Sequence, residues 1–375
     1  MKILRVVTRL NVGGPSRQIQ ELINEIPSDS AEQILFIGNC SEGEKEYSLD
    51  NRQEIQIIKS KYLHRKVSLL EDLKTFFHLR NCIVRLAPDI IHTHMSKAWV
   101  LSVAACLTLR RPPILVHTFH GHTFHSYFKG IKGILNKHAQ VFCATKTNLL
   151  IAVDEKIKTE VLREGVGNPT SFITIEPGFK PPKSYSREFA RNALGIEQNK
   201  FLIGYMGRLE PIKRTDLLLD VFSKVSIISP EASFAVAGGG SLEAMINTAK
   251  EDIPLKFLGW IRDVGMFYSA MDLMILTSDN EGTPLTVIEA GMLGIPTMSR
   301  PVGGVTNMIK DRNTGYLVDG DVQSFTSSIQ LILDSPEELK RVSHNCKSFF
   351  RENYQSTTFV TKHLDSYQDL LKMTR

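Results

Sequence analysis

Short apolar, β-branched segments alternate with segments of helical periodicity along the whole of this 375-residue chain. The strand candidates of the first half are Ile3–Val7, Ile34–Ile37, Asp89–His94, Ile114–Phe119, Val141–Ala144 and Phe172–Glu176. Those of the second half are Phe201–Met206, Ser233–Ala237, Leu255–Leu258, Leu273–Thr277, Thr297–Ser299 and Tyr316–Val318. This alternation predicts parallel sheets covered by helices on both faces.

A Pro-rich stretch, GFKPPKSYSREFA at 178–190, separates the two series of candidate strands. We therefore expect an α/β protein with two doubly wound Rossmann-like domains, residues 1–180 and 181–356, which face each other across a cleft. Residues 357–375 are predicted to form a final helix. The pattern does not decide which domain that helix packs on, and a return to the N-terminal domain is one arrangement open to it.

Composition excludes several classes of protein. A chain with 42% hydrophobic and 23% charged residues is too apolar to be disordered. The five cysteines are far apart with no CxxC pair, which argues against a disulfide framework or a structural zinc site. Arg5 and Arg9 interrupt the N-terminal segment, which is unlike a signal peptide, and the nearly apolar run Ala98–Leu109 is too short to span a bilayer. We expect a cytoplasmic protein, or one peripheral on the inner face of the cell membrane.

Positive charge is concentrated in the first half of the chain. Residues 61–146 hold 13 Lys and Arg against 3 Asp and Glu. Such an excess favours a negatively charged partner, such as anionic lipid or phosphate. We do not expect nucleic acid as a partner. The alternative is a basic face that is simply solvated.

The strongest functional motif is SDNEGTPLTVIEA at 278–290, directly after an apolar strand. Gly282 permits a tight turn, Thr283 is the expected N-cap and Pro284 suits the first helical position. The backbone N–H groups and the positive end of the helix would then hold a diphosphate or sugar hydroxyls. Glu281 in the turn and Glu289 in the helix would reach the same ligand, although two solvated acids are the plainer alternative.

A second motif, IGYMGRLEPIKRTDLLLDVF at 203–222, joins a strand that ends at Gly207 to a helix predicted to begin near Lys213. Arg208 and Lys213 flank the turn and would both face an anion there, one as a bidentate fork and the other as a point charge. The alternative is a surface ion pair with Glu210 or Asp216.

Five segments of the second half, in order, resemble the donor-binding half of a family 4 glycosyltransferase of the GT-B fold. They are GYMGRLEPIKRTDLLL, AGGGSLE, FLGWIRDVGMFYSAMDLMILTS, EGTPLTVIEAGMLGIPTMSRPVGG and NTGYLV. The spacing from Glu281 to Glu289 matches the E-x7-E motif of that family. The first half fits through NVGGPSRQ, PDIIHTHMSKA and VHTFHGHTFH, so the resemblance covers essentially the whole chain.

The resemblance implies a role for each matching residue. Arg208 and Lys213 would bind the donor diphosphate and stabilise the charge of the leaving nucleoside diphosphate. Glu289 would hold the ribose hydroxyls, and Glu281 would lie beside the transferred sugar. The implied catalytic set is completed by His120. The other donor-binding positions are Gly13, Gly14, Trp260, Ile261, Gly282, Thr283, Pro284 and Leu285.

Histidines are clustered in the first half, with His92 and His94 on one strand and His117, His120, His122 and His125 within nine residues. A metal cluster is conceivable, because imidazole is a common metal ligand, but no Cys, Asp or Glu lies within either cluster. We therefore expect neither a metal nor another cofactor. The resemblance further implies that Arg17, His94 and His122 bind the acceptor.

Two further segments bear on these expectations. Many relatives carry an Asn-Gly-(Val/Ile)-Asp turn between the domains, where this chain has IEPGFK at 175–180 and lacks the acid. The segment Tyr62–Pro88 places apolar residues at helical spacing among basic ones. It suits an interfacial helix on an anionic membrane and equally a helix that covers a sheet.

The resemblance implies a retaining glycosyltransferase that uses a nucleotide sugar, with UDP as the expected nucleotide and a hexose or N-acetylhexosamine as the sugar. The expected acceptor is a glycan or polyprenyl-linked sugar in bacterial surface polysaccharide synthesis. Two alternatives stay open at this point: a GT-B-fold UDP-sugar epimerase, and a non-catalytic relative that only binds a sugar nucleotide.

Overall fold

The computed structural model of the protein describes residues 1–41, 44–50, 54–121 and 131–374. The chain divides into two compact units. The first unit comprises Met1–Phe179 together with Gln355–Arg375, and the second comprises Lys180–Tyr354.

The first unit is built on a seven-stranded parallel sheet with strand order β3-β2-β1-β4-β5-β6-β7. Its strands are β1 (Lys2–Val7), β2 (Glu32–Ile37), β3 (Gln56–Lys59), β4 (Ile90–His94), β5 (Ile114–Phe119), β6 (Leu149–Ala152) and β7 (Phe172–Thr174). The helices are α1 (Gly14–Glu25), α2 (Leu69–Leu86), α3 (Ser96–Leu107), α4 (Ile131–Thr145) and α5 (Glu155–Arg163). The direction of connection reverses between β1 and β4, which places the carboxyl ends of those two strands at the usual ligand position of a doubly wound sheet.

The second unit holds a six-stranded parallel sheet with strand order β10-β9-β8-β11-β12-β13. Its strands are β8 (Phe201–Met206), β9 (Ala232–Ala237), β10 (Leu255–Gly259), β11 (Leu273–Leu276), β12 (Thr297–Ser299) and β13 (Tyr316–Leu317). The helices are α6 (Arg187–Leu194), α7 (Thr215–Ile228), α8 (Glu243–Ala249), α9 (Val264–Ala270), α10 (Leu285–Met292), α11 (Val305–Met308), α12 (Val322–Leu333) and α13 (Pro336–Asn353). Here the connection reverses between β8 and β11. Two parallel-sheet α/β units in one chain are the architecture expected of the GT-B fold.

The last helix, α14 (Ser356–Thr374), belongs to the first unit and packs beside α1. Its residues Phe359, Val360 and Tyr367 join one apolar cluster with residues of β1, β4, β5 and β6. A buried polar contact fixes the same helix, because the Tyr367 hydroxyl lies 2.7 Å from His92 Nδ1 and accepts a 3.3 Å hydrogen bond from Arg5. The guanidinium of Arg5 is fully buried and also donates twice to Gln33 Oε1.

The structure corrects one predicted strand. Val141–Ala144 lies inside α4, and the strand of that region is β6, with all four of its residues buried. In α4 the buried positions Gln140, Cys143 and Ala144 follow helical spacing, which a short apolar run of four residues does not distinguish from a strand. Strand β3, at the edge of its sheet and largely exposed, was not predicted.

No helix in the described part of the chain combines the length and the apolar character needed to cross a bilayer.

Candidate active site

The carboxyl edge of the second sheet collects the acidic motif of the sequence. Strand β11 ends at Leu276, and the turn that follows carries the buried side chain of Glu281 into the start of α10. Helix α10 begins at Leu285 with Pro284 as its N-cap and no side-chain cap. The expected capping by Thr283 is wrong, since its Oγ1 is buried without a hydrogen-bond partner in the structure. The helix start therefore presents uncapped N–H groups beside an orphaned hydroxyl, which is a chemistry suited to an oxygen-rich ligand.

Lys213 and Glu281 form the central contact of this edge. The Lys213 ammonium lies 2.5 Å from Glu281 Oε1, and the same oxygen accepts a 2.6 Å hydrogen bond from Ser278 Oγ. The alternative partners considered for Lys213, Glu210 and Asp216, are engaged elsewhere. Glu210 accepts from Ser241, and Asp216 pairs with Arg214. Lys213 therefore belongs to the motif around Glu281.

The turn that carries Lys213 is shaped by its backbone. Pro211–Lys213 forms a single 3₁₀ turn, and Arg214 adopts a left-handed conformation with φ 52° before α7 begins at Thr215. Thr277 Oγ1 donates to the carbonyl of Lys213 at 2.9 Å, and Asp279 N donates to the Ile212 carbonyl at 3.0 Å. These bonds join the end of β11 to the turn after β8, so the two motifs are positioned together.

Arg208 lies in the same turn, after the end of β8, and its side chain is exposed. Its carbonyl accepts a 3.0 Å hydrogen bond from the buried Tyr205 hydroxyl. Among the residues that the structure describes, no carboxylate lies within ion-pairing distance of the Arg208 guanidinium. A cation held at the sheet edge in this way is available to an incoming anion.

Glu289, the fifth residue of α10, is buried. Its Oε2 accepts a 3.1 Å hydrogen bond from the hydroxyl of Tyr268, a fully buried residue of α9. Burial of a carboxylate requires such donors. The contact therefore explains how Glu289 is kept inside the unit at a fixed position.

Trp260 and Ile261 follow β10, the neighbouring strand of the same edge. The Trp260 indole lies against Gly239, because a Cβ atom on that glycine would approach its Nε1 to 2.5 Å. Gly239 O in turn accepts a 3.0 Å hydrogen bond from Leu209 N. Trp260 is partly exposed and Ile261 half-buried, so the carboxyl ends of β8, β9 and β10 present a glycine-lined surface with one aromatic side chain.

A glycine after β12 packs against the backbone of Glu281. Gly303 has a left-handed φ of 53°, and a Cβ atom there would lie 1.8 Å from the Glu281 carbonyl oxygen. The next residue, Gly304, donates its N–H to that oxygen at 3.0 Å. The sequence RPVGG is therefore required for the close approach that fixes the turn of Glu281.

In the first unit, the candidates lie at the carboxyl ends of β1, β4 and β5. Gly13 and Gly14 form the turn into α1, whose N-terminus has no side-chain cap, and a Cβ atom on Gly14 would meet nothing within 4 Å. Arg17 lies in the first turn of that helix, with its guanidinium carbon 5.9 Å from the ring centre of Phe179.

A line of three polar side chains lies beside that turn. His120 Nδ1 is 3.2 Å from Gln18 Oε1, and His120 Nε2 is 2.9 Å from His94 Nδ1. Because an amide oxygen only accepts, His120 donates through Nδ1, and its neutral ring then accepts from His94. His94 Nε2 is left as a buried acceptor without a hydrogen-bond partner in the structure. Burial lowers the pKa of His120 to about 4, and burial followed by repulsion from His120 places the pKa of His94 well below its usual value.

The other histidines of the two clusters have structural roles. His92 accepts from Arg5 at Nδ1 and therefore donates through Nε2 to Thr118 Oγ1 at 2.7 Å. His117 stacks on Trp99 with ring centres 4.1 Å apart and packs into the core. His122 and His125 lie outside the described residues.

Within the described ranges, no three Cys, His, Asp or Glu side chains converge as ligands of a metal ion. The absence of a metal or cofactor from the reaction stays a prediction.

Sequence reasoning missed three residues of this site: Ser278, Gln18 and Tyr268. Ser278 precedes Glu281 by three residues, a spacing at which a turn brings two side chains together, so the signal was present in the sequence. Gln18 and Tyr268 contact their partners only through tertiary packing and left no local signal.

The second unit places two cations, two buried carboxylates and an uncapped helix start along one sheet edge.

Two family models match the chain over most of its length. Residues 12–178 match the model of Glycosyltransferase Family 4, and residues 186–349 match that of Glycosyl transferases group 1. Together they include every candidate residue discussed above.

Individual proteins agree with the family models. The chain is 27% identical over 321 residues, 82% of each sequence, to the UDP-Gal:alpha-D-GlcNAc-diphosphoundecaprenol alpha-1,3-galactosyltransferase of Escherichia coli. It is 23% identical to the capsular polysaccharide biosynthesis glycosyltransferase CapM of Staphylococcus aureus, over 83% of this chain and 84% of CapM. The crystal structure of HepE from Anabaena with UDP and glucose superposes with a TM-score of 0.80 at 20% identity, over 98% of this chain and 99% of that one, which shows a shared fold. From the matched models, the relatives and the fold, the chain belongs to the family 4 glycosyltransferases.

Proposed function

We propose that this glycosyltransferase moves a hexosyl or N-acetylhexosaminyl group from a UDP-sugar to a lipid-linked or glycan acceptor, with retention of anomeric configuration. The pathway we propose is the assembly of a bacterial surface polysaccharide at the inner face of the cell membrane. The Lys213–Glu281 contact beside the uncapped start of α10 carries the proposal. The names of two relatives support the pathway, since one uses UDP-Gal and a diphosphoundecaprenol acceptor and the other belongs to capsule synthesis.

The donor is assigned to the second unit. Arg208 and Lys213 would neutralise the diphosphate, and the orphaned hydroxyl of Thr283 with the N–H groups that begin α10 would hold sugar or phosphate oxygens. Glu289, held by Tyr268, would accept hydrogen bonds from the ribose hydroxyls. The surface beside Trp260 and Ile261 would hold the base.

The acceptor is assigned to the first unit. The neutral pair His94 and His120, together with Arg17, lies at the carboxyl edge of its sheet. His120 is the group expected near the transferred sugar, and His122 completes the acceptor-binding set predicted from the sequence.

We propose that the acceptor hydroxyl attacks the anomeric carbon from the same face of the sugar as the departing diphosphate. The acceptor oxygen forms the new bond to the anomeric carbon as the bond to the diphosphate oxygen breaks, and the acceptor proton passes to that leaving oxygen. Negative charge grows on the diphosphate as the bond breaks, so Arg208 and Lys213 bind the transition state more strongly than the donor. Glu281 and Glu289 are both committed to donor contacts, which leaves no nucleophilic carboxylate pair.

We also propose that the reaction needs no metal, because the two cations already offset the charge of the diphosphate. Activity should then be unchanged by excess EDTA and not increased by Mg²⁺ or Mn²⁺. An activity abolished by EDTA and restored by either ion would refute this part of the proposal.

The first experiment is calorimetric titration of UDP, GDP and ADP into the wild type, Glu289→Ala and a control, Glu197→Ala, which alters an exposed glutamate of the same unit. We expect one nucleotide, UDP, to bind to the wild type and the control, and at least about tenfold more weakly to Glu289→Ala because a charged hydrogen-bonding group is lost. Failure of all three nucleotides to bind at millimolar concentration would refute the donor site.

The second experiment tests transfer and its stereochemistry. UDP-sugars are incubated with and without GlcNAc-diphosphoundecaprenol, and the anomeric coupling of the product is measured by NMR. We expect a product with the donor's anomeric configuration only when acceptor is present. A new nucleotide sugar formed without acceptor would indicate the epimerase, and binding without turnover of any UDP-sugar would indicate the non-catalytic relative.

A further inference from the structure

Helix α2 covers the first sheet with one face and exposes an apolar stripe on the other. Its buried positions, such as Leu79 and Ile83, face the core. On the opposite side, Leu69 is 87% exposed, Leu70 74% and Leu73 53%, and Phe77 and Val84 continue the stripe at spacings of three, four and seven residues. Five large apolar side chains along one exposed helical face need an explanation, since soluble surfaces rarely align them in this way.

A second helix on the same side of the sheet repeats the pattern. Helices α2, α3 and α4 lie side by side, with α3 largely buried between the other two. On α4 the exposed apolar residues are Ile134, Leu135 and Phe142, and Leu135 is 63% exposed. The stripe of α2, with Val67 before it, and these residues of α4 form what we call the α2–α4 face.

The charges of the α2–α4 face are of one sign. The exposed positions of α2 that are not apolar are Lys74, Asn81 and Arg85, and Lys66 lies exposed just before the helix. The two acids of α2 are half-buried rather than exposed: Asp72 pairs with Lys97, and Glu71 Oε1 lies 3.6 Å from His64 Nε2. Among the described residues of α4, no exposed position carries an acid. Apolar side chains bordered by lysine and arginine match the interfacial region of an anionic bilayer.

The position of the face within the unit agrees with this partner. Because all strands of the sheet are parallel, α2 and α4 both begin at its carboxyl edge, where His94 and His120 lie. The three most exposed apolar residues of the face, Val67, Leu69 and Leu70, lie just before α2 or in its first turn, and Leu135 lies in the second turn of α4. The apolar surface is therefore strongest at the edge that carries the acceptor candidates.

We propose that the α2–α4 face docks on an anionic lipid bilayer, with the leucines at the start of α2 inserted among the acyl chains and the flanking lysines on the lipid phosphates. The proposal rests on the proposed function in one respect, since it gives a lipid-linked acceptor a membrane from which to reach the carboxyl edge. It names the surface that holds the protein there. A second copy of this chain fits less well, because two such faces would bring positive charges together.

The test is flotation of the full-length protein with vesicles, without nucleotide or sugar. One set of vesicles contains phosphatidylethanolamine with about 30% phosphatidylglycerol, which makes the surface anionic. The other set is phosphatidylcholine alone. The apolar variant is Leu69→Ser/Leu70→Ser, and its matched control is Ile227→Ser/Ile228→Ser, an exposed apolar pair of the second unit. The charge variant is Lys66→Ser/Lys74→Ser, with Lys224→Ser/Lys340→Ser as its control.

We expect the wild type and both controls to float with anionic vesicles, and each variant of the α2–α4 face to partition about tenfold or more weakly. On phosphatidylcholine vesicles, only the charge variant should bind as strongly as the wild type, because these vesicles hold no anionic lipid for the lysines to contact. Absence of wild-type binding, or equal binding by the variants, would overturn the proposal. So would sedimentation that shows a wild-type dimer dissociated by Leu69→Ser/Leu70→Ser, which would make the face a protein interface.

UDP titration of the same samples separates this proposal from the donor site. A wild type that binds UDP but not anionic vesicles refutes the docking face alone. Vesicle binding intact with no UDP binding refutes the proposed function alone. Unchanged UDP affinity and an unchanged thermal transition in both variants also show that the serine substitutions leave the protein folded.

Discussion

At the scale of single residues, the carboxylate oxygen Oε1 of Glu281 is the shared partner of two side chains in the proposed donor site. It is buried and receives both the Lys213 ammonium and the Ser278 hydroxyl. A buried carboxylate needs compensation, so the contact stabilises Glu281 and directs Lys213 to the sheet edge at the same time. The pair is therefore both a structural and a catalytic feature under the proposed mechanism.

Substitution of Lys213 by Ala should lower kcat/KM for the donor about 100- to 1,000-fold, the range found when one charge-stabilising group is removed. Ser278→Ala should cost about tenfold, because Glu281 keeps the ammonium as partner. Initial rates over a donor concentration series give both values, and Lys224→Ala on the exposed face of α7 is the control. Equal activity of Lys213→Ala and the control would exclude Lys213 from the reaction.

Tyr268 should act on nucleotide binding through Glu289. Tyr268→Phe removes the hydroxyl that donates to Glu289 and should weaken UDP binding about three- to tenfold, less than the loss of Glu289 itself. Tyr316 provides a matched control, because its hydroxyl is also buried in the second unit but has no hydrogen-bond partner in the structure. Calorimetry of Tyr268→Phe and Tyr316→Phe is the measurement; equal UDP affinities would contradict a positioning role for Tyr268.

At the scale of elements, α14 is held to the first unit by the two hydrogen bonds of one buried hydroxyl within an apolar interface. Tyr367 joins the helix to Arg5 of β1 and His92 of β4 through its hydroxyl, inside the cluster formed with Phe359. The buried Arg5 has no carboxylate partner among the described residues, so the hydroxyl is one of its few acceptors. The return of the last helix to the first sheet depends on this arrangement.

Tyr367→Phe should therefore destabilise the first unit by about 1–3 kcal/mol, the cost of leaving buried polar groups unsatisfied. Tyr367→Ala should cost about 3–5 kcal/mol, because a cavity is added. Urea denaturation followed by far-ultraviolet circular dichroism measures both. A Tyr367→Phe variant as stable as the wild type would show that Arg5 and His92 are satisfied without the hydroxyl.

Much of the element pattern was predictable, because strands of a parallel sheet are buried on both faces and form short continuous apolar runs. Strands such as β5 and β8 were predicted at their observed bounds. Val141–Ala144 was wrong because a buried helical face and a buried strand look alike over four residues. The capping role of Thr283 was wrong because the chain stays extended through Pro284, so the helix begins one residue later than the motif indicates.

The candidate residues of the second unit were predictable for a related reason. Lys213 and Glu281 are 68 residues apart but follow adjacent strands, β8 and β11, whose carboxyl ends share one edge. The sequence motifs therefore placed them together once the topology was assumed. The roles of His92 and His117 were not predictable, because burial against Arg5 or Trp99 is decided by packing between distant segments.

At the scale of the whole molecule, the two units differ in how they hold titratable groups. The second unit contains a single histidine, the exposed His344. The first unit buries four, namely His92, His94, His117 and His363, and holds a fifth, His120, half-buried. Burial lowers the pKa of each of them, to about 3 in His363, so all five are neutral in the folded protein at neutral pH.

This difference predicts that mild acid destabilises the first unit selectively. An unfolded histidine has a pKa near 6.5, whereas folded His120 has a pKa of about 4, so between those values the unfolded state binds the extra proton. Stability is therefore fully present above about pH 6.5 and falls as the pH drops toward 4, with a loss of about 2 kcal/mol at about pH 5 for His120 alone.

Hydrogen exchange at pH 7.5 and 5.0, about 1 unit above and about 1.5 units below the pKa of an unfolded histidine, measures this loss in each unit separately once intrinsic exchange rates are corrected for. Amides of β4 and β5 should lose at least about 2 kcal/mol of opening free energy, while those of β8 and β11 change by less than about 0.5 kcal/mol, because no buried histidine titrates in the second unit. His120→Gln should retain more of the first unit's stability at pH 5.0 than the wild type does, since it removes one proton-binding group from the unfolded chain. Equal losses in the two units would show that groups other than the buried histidines govern the acid response.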